Sequence, residues 1–248
     1  MPIRAKLFIT CLGEQFFPDV LKDMVRLLER LGVECEFPES QTCCGQPFYN
    51  SGMQREGREI ARRWLRAFSA GDPSAYIVAP SGSCVDFVRH HYVDLFPEGS
   101  REHELVQDLA TRTFEFSQFL VNILKVTDVG ASFPHRVTYH APCHALRGLG
   151  VRDEPKQLLR AVKGLELVPL EEEEVCCGFG GIFSVVYPEV SKAMMEDKLK
   201  HVQASGAEFV VIGEPGCLMN VSGGLHKIGS PVRAMHLIEI LASDKGAR

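Results

Sequence analysis

The sequence predicts an α/β protein of two pseudo-symmetric halves. Each half is a small parallel sheet with flanking helices and with cysteine loops at the C-terminal edge of its strands. Three observations predict this. Short apolar runs alternate with stretches of helical periodicity, the pattern of a parallel sheet. Eight of the nine cysteines fall into two matching quartets. Each quartet cysteine follows a predicted strand and precedes a predicted helix.

Residues 5–10 read as the first strand. Val20, Leu21, Met24, Val25, Leu27, Leu28 and Leu31 then recur at helical spacing. Gly32 ends that helix. Val33 to Phe37 reads as a second strand, followed by Pro38 and a Cys-Cys-Gly loop. Ile60, Trp64, Leu65 and Phe68 mark a second helix. Ala75 to Ala79 is a third strand, and a helix follows Cys84. The second half repeats the order, with strands near 136–140, 165–169 and 208–212 and helices near 154–163 and 187–203. The expected boundaries are 1–128 and 129–248.

The repeat is carried by the cysteines. Cys43-Cys44-Gly45 returns as Cys176-Cys177-Gly178, Cys84 as Cys217 and Cys11 as Cys143, at one displacement to within a single residue. Such a period means duplication of a whole structural half, far longer than a solenoid repeat. The tails align as Phe116–Leu124 against Ala234–Leu241, and the first half carries extra residues near 92–110.

Composition narrows the function. The chain is 45% hydrophobic and 24% charged, with a formal net charge of -5. No broad basic face offers itself to nucleic acid. The apolar runs fall far short of the ~20 residues of a spanning helix. An odd cysteine count with no export signal points to a cytoplasmic protein with metal or redox chemistry, not structural disulfides.

Helix N-termini and backbone N–H groups at the strand ends favour thiolates, the form that binds metal. Four thiolates per half suit an iron–sulfur cluster or structural zinc. Structural zinc usually draws on two short Cys-x-x-Cys knuckles. Here the ligands spread from Cys11 to Cys84 and from Cys143 to Cys217, and two in each set are adjacent. A multi-iron cluster offers separate iron atoms to neighbouring sulfurs, which one small ion does not. The expected cofactor is therefore an iron–sulfur cluster, [4Fe–4S], up to two per chain, held by Cys11, Cys43, Cys44, Cys84, Cys143, Cys176, Cys177 and Cys217. Zinc in one half is the main rival.

These residues resemble the cysteine-rich CCG domain. That domain occurs in the catalytic subunit of heterodisulfide reductase and in subunits of glycolate oxidase and anaerobic glycerol-3-phosphate dehydrogenase. The family pattern ends in Cys-x-x-Cys, and this sequence has Ser81 and Glu214 at the first position of that pair. Four-cysteine binding, with Ser81 or Glu214 as an oxygen ligand or none, is what the departure leaves. The family also carries zinc in some CCG domains.

Over essentially the whole chain the sequence is similar to the lactate utilization protein A family. The strings that carry this are Thr10-Cys-Leu, Cys43-Cys-Gly-Gln-Pro47, Pro80-Ser-Gly-Ser-Cys84, Cys176-Cys-Gly-Phe-Gly-Gly181 and Gly216-Cys-Leu-Met-Asn220. The resemblance implies an iron–sulfur subunit of a multi-component oxidoreductase taking L-lactate to pyruvate. The implied partners are lactate utilization proteins B and C, the B protein resembling a ferredoxin-type iron–sulfur protein. A zinc-stabilised assembly subunit and a thiol–disulfide redox protein are the alternatives.

Other residues carry weaker signals. His140 and His144 bracket Cys143, with Arg147 close behind. A histidine there suits proton abstraction from a hydroxy acid, and Arg147 suits its carboxylate. The plainer role is loop hydrogen bonding or thiolate stabilisation. The aligned residues of the first half are Phe8 and Leu12. Arg89-His90-His91 reads as helix surface, His236 as a packed residue of the last helix, Cys35 as a buried inert thiol. Glu171 to Glu174 reads as a solvated acidic loop that can face a basic partner. Gly178-Phe-Gly-Gly-Ile-Phe183 lacks the third glycine of a dinucleotide loop, so nicotinamide cofactors are not expected.

Overall fold

The computed structural model describes residues 2–243. The chain divides into two compact units, the first ending at Phe119 and the second beginning at Leu120. Each unit contains a four-stranded, all-parallel sheet.

In the first unit β1 (Arg4–Leu7), β2 (Glu34–Glu36), β3 (Tyr76–Ala79) and β4 (Thr113–Glu115) run in the order β2-β1-β3-β4. In the second, β5 (Arg136–His140), β6 (Glu166–Leu167), β7 (Phe209–Ile212) and β8 (Arg233–His236) run in the order β6-β5-β7-β8. The inner strands β3 and β7 are Tyr-Ile-Val-Ala and Phe-Val-Val-Ile, apolar on both faces as strands covered on both sides must be. In each unit the chain leaves the first strand for one side of the sheet, then returns to the other. That makes a switch point between β1 and β3, and between β5 and β7, where the loops after the strands spread apart.

The helix Pro18–Arg30 buries Val20, Leu21, Met24, Leu27 and Leu28 of the predicted stripe and leaves Val25 half-buried. Its start is set by Pro18 at the first helical position, where a missing N–H costs nothing. The helix Gln54–Ser69 buries Ala61, Trp64, Leu65 and Phe68. Trp64 is fully buried, stacked on Phe68 at 4.4 Å and met edge-on by Phe8 and Tyr92 at 5.4 and 5.5 Å. Its indole N–H has no hydrogen-bond partner. Trp64→Ala is therefore expected to cost about 3–5 kcal/mol, the usual loss for an aromatic cavity. Trp64→Phe should cost clearly less, because it also removes the orphaned donor. Chemical denaturation followed by circular dichroism measures both.

Lys6 interrupts the apolar pattern of β1 yet is fully buried. Its ammonium donates to the carbonyls of Phe68, Ala70 and Asp72, just where the helix Gln54–Ser69 leaves its last carbonyls unpaired. A cation there also suits the negative end of the helix.

Each unit has a fourth strand beyond the three expected. β4 and β8 are three or four residues long and contain Glu115 and Arg233, so no apolar alternation announces them. Their register also corrects the alignment of the tails. Glu115 pairs with Ala79, and His236 pairs with Ile212, the repeat of Ala79. Glu115 and His236 are thus equivalent, and Phe116 matches Leu237, not Ala234. Both residues do the same work. The Glu115 carboxylate accepts the N–H groups of Ser117 and Gln118, and His236 Nδ1 accepts that of Ile238 at 3.2 Å. His236 accordingly ends a strand and caps the last helix instead of lying within it. The extra residues of the first unit form a 3-10 turn at Tyr92–Leu95 and the helix Arg101–Thr111.

Candidate metal centres

Parallel pairing brings the C-terminal ends of three strands to one edge in each unit, and the cysteines follow them. Cys11 opens the helix Cys11–Phe16 after β1. Cys43 and Cys44 close the loop after β2, and Cys84 lies in the helix Gly82–Asp86 after β3. Cys143 follows β5, Cys176 and Cys177 lie in the loop after β6, and Cys217 lies in the helix Pro215–Lys227 after β7.

The sulfurs of the first unit form a chain. Cys11 Sγ lies 3.5 Å from Cys43 Sγ, and Cys44 Sγ lies 3.5 Å from Cys84 Sγ. Cys43 and Cys44 thiols also interact. The second unit repeats the chain, from Cys143 to Cys176, Cys177 and Cys217.

The Cys-Cys-Gly turn explains how adjacent cysteines serve one site. Gly45 and Gly178 sit at φ +87° and +86°, a conformation costly for other residues. That twist folds each glycine's N–H back onto the sulfur two residues earlier, at 3.4 Å in both units. Hydrogen bonds from the Cys11 and Cys44 thiols, then from the Gly45 N–H, hold Cys43 far below the ordinary thiol range. Cys11 and Cys44 are pushed up in return. Cys176 is held low in the same way by Cys143, Cys177 and the Gly178 N–H, while Cys143 and Cys177 rise. Each quartet thus holds a thiolate beside sulfurs whose protons a metal would have to displace.

Support beneath the turns differs between the units. Tyr92 Oη donates to the Cys44 carbonyl at 2.7 Å, and Asn220 Nδ2 donates to the Cys177 carbonyl at 2.8 Å. Ser81 Oγ accepts the N–H of Cys84 at 3.4 Å and so caps its helix. Glu214 occupies the same cap position in the second unit and is buried.

The remaining candidates separate. His140 is fully buried at the end of β5, and neither ring nitrogen makes a hydrogen bond of good geometry. Its ring lies in a group with Cys177 and Cys217 whose donor atoms are all within 4.8 Å of one another. Burial, and then the Lys198 charge, push its pKa down to about 3, which leaves a neutral imidazole. His144 and Arg147 are exposed, and Arg147 Nη2 donates to the Glu174 carbonyl at 3.3 Å.

Cys35 stands apart in β2, half-buried, with its pKa pushed up to about 11 chiefly by burial. His90 Nδ1 pairs with the buried Asp86 at 2.7 Å on the π-helical turn Phe87–His91. The acidic run is less free than its composition suggests. The Glu172 and Glu173 carbonyls accept from Lys198 and from the Ala141 N–H. The Glu173 and Glu174 carboxylates pair with Lys156 and Arg152.

Comparisons with known proteins cover both quartets. The cysteine-rich CCG domain model matches twice, over residues 5–89 and 137–222. Lactate utilization protein A of Geobacillus thermodenitrificans is 46% identical over 239 residues, spanning 96% of this chain and 98% of its own. That of an Exiguobacterium species is 48% identical over 235 residues, 95% of each chain. The chain belongs to the lactate utilization protein A family. Among solved structures, a hypothetical protein from Helicobacter pylori superimposes with a TM-score of 0.67 at 11% identity. The superposition covers 100% of this chain and 50% of that one, a likeness of fold. In this lactate utilization protein A family member, both matched stretches of the CCG domain model contain a complete cysteine quartet. Among the described residues, no helix is long and apolar enough to cross a membrane.

Proposed function

We propose that the chain is an iron–sulfur subunit of a multi-component oxidoreductase that takes L-lactate to pyruvate, with each quartet binding one cluster. The observation that carries this is the joining of four sulfurs in each unit at a sheet switch point. Cys11, Cys43, Cys44 and Cys84 would hold one cluster, and Cys143, Cys176, Cys177 and Cys217 the other. A bound cluster supplies one-electron transfer. The protein supplies the thiolates, the Gly45 and Gly178 N–H groups aimed at sulfur, and burial of Cys44, Cys84, Cys177 and Cys217 away from water. Hydrogen bonds to sulfur and exclusion of solvent both tune a cluster's potential.

Lactate as the substrate of the complex comes from the family. So do lactate utilization proteins B and C as partners and a cytoplasmic setting. A surface feature suits assembly with another protein. Val185, Val186, Tyr187 and Val190 stand exposed just beyond the Cys176-Cys177-Gly178 turn, an apolar patch of the kind that interfaces cover.

Iron, zinc and acid-labile sulfide should be measured, with visible and EPR spectra, on full-length protein purified without oxygen. About four iron and four sulfide per unit, with a paramagnetic signal on reduction or oxidation, is the expected result. Zinc alone in both units, with no sulfide after attempted reconstitution, would leave a zinc-stabilised assembly subunit as the better account. One observation gives zinc a specific foothold: the mixed nitrogen and sulfur donors of His140, Cys177 and Cys217.

A further inference from the structure

We propose that His140 is a metal ligand, donating an imidazole nitrogen to the centre of the second unit beside Cys177 and Cys217. The two centres of the chain then differ in ligand chemistry. The proposal rests on the metal-centre assignment above for the presence of a metal, and on the surroundings of His140 for the ligand.

Buried polar side chains nearly always have hydrogen-bond partners. His140 is fully buried, and neither ring nitrogen makes a hydrogen bond of good geometry. An imidazole held this way calls for an acceptor of its lone pair. The atoms close to it are sulfurs: its donor atom and the Sγ atoms of Cys177 and Cys217 all lie within 4.8 Å of one another. Nitrogen and sulfur bind metal at about 2.1 and about 2.3 Å, so two ligands of one tetrahedral ion lie about 3.6 Å apart. The group reaches that spacing when its donor atoms draw in by about 0.6 Å each at most.

A metal-bound histidine usually turns its other N–H to a carbonyl or carboxylate. The Glu173 carbonyl is available for this. It is anchored beside the end of β5 by the Ala141 N–H at 3.2 Å, and it already favours a proton on the ring.

The first unit shows what the position holds when no donor is wanted. Lys6 pairs with Ile77, and Thr138 pairs with Val210, so Phe8 and His140 occupy the same place in the two sheets. Phe8 packs edge-on against Trp64 and Phe68, both at 5.4 Å. The fold thus accepts an apolar ring there. The second unit instead carries a nitrogen donor facing two of its four cysteines.

The test uses full-length protein labelled with 15N-histidine, kept free of oxygen, as wild type, His140→Phe and His140→Cys. Pulsed EPR of the wild type should show one strongly coupled nitrogen that is absent from His140→Phe. Metal content of His140→Phe should fall to about half while the first unit stays loaded, and His140→Cys, which restores a donor, should recover it. Far-UV circular dichroism checks that the variants are folded, as Phe8 leads one to expect. Wild type with full metal but no strongly coupled nitrogen would overturn the proposal. So would His140→Phe with unchanged metal content and spectra, a readout that needs no paramagnetism. If the protein holds zinc and no sulfide, the iron–sulfur reading fails while this one stays open to X-ray absorption at the zinc edge. A nitrogen scatterer lost in His140→Phe then supports His140 as ligand, and all-sulfur zinc in the wild type refutes it.

Discussion

Cys177→Ser is expected to empty the second centre and leave the first intact. Cys177 is almost fully buried and stands between Cys176 and Cys217 in the sulfur chain. Serine places a shorter, harder oxygen there, which remains a protonated hydroxyl where a thiol would ionise and is a poor match for iron in a sulfur set. Iron, sulfide and visible absorbance should all fall to about half. Cys44→Ser, the same change in the first unit, should remove the other half and spare the second. The double variant should hold neither. Retention of full iron and sulfide in both single variants would refute the ligand assignment outright, because no other quartet is present among the described residues.

Gly178→Ala should be among the most damaging single changes outside the cysteines. The residue's φ of +86° costs an L side chain about 1–2 kcal/mol by itself. A Cβ would also lie 2.5 Å from the Ser191 carbonyl oxygen and 3.0 Å from Met194 Cβ. That carbonyl belongs to the backbone of the helix Pro188–Ala204, which cannot yield without shifting as a body. Any movement of the turn also spoils the Gly178 N–H contact to Cys176 Sγ. Together these should lower stability by roughly 3 kcal/mol or more. Gly45→Ala supplies the control. Its φ is nearly the same, but the nearest atom is the Ile60 methyl Cγ2 at 3.3 Å, a side chain able to rotate. Its loss should be close to the backbone cost alone. Thermal melts of both metal-free variants separate the two contributions, and equal losses would show that the Ser191 contact is relieved cheaply.

Much of this was legible in the sequence, for identifiable reasons. The helix Pro18–Arg30 and the strands β1, β3, β5 and β7 are long enough, or apolar enough, for their periods to show. The quartets were legible because duplication printed the same spacing twice. What did not show was short or depended on pairing. β4 is three residues and β8 begins with an exposed Arg233, so neither carries an apolar pattern. His236 looked helical because it adjoins Leu237-Ile238-Glu239-Ile240-Leu241, but its side chain caps that helix from outside. The isolation of His140 depends on what the folded chain fails to bring near it, which no spacing can reveal. Its sequence signals were its place three residues before Cys143 and the contrast with Phe8 at the matching place. The ties on the acidic run were equally invisible, since Lys198 lies a helix away in sequence.

The floors beneath the two cysteine turns give the halves different routes to completion. Under the first turn lies an aromatic block of Phe8, Trp64, Phe68 and Tyr92, dry and densely packed. At the matching strand end the second unit has an imidazole with no well-formed hydrogen bond, with the buried Lys198 close enough to act on it. A site whose metal completes its bonding derives part of its folding free energy from that metal. If both quartets bind clusters as proposed, the first half could reach its final shape while still empty, whereas the second would wait for its metal. In a cell short of iron, newly made chains would then accumulate half-finished, with the loosened end always the same one.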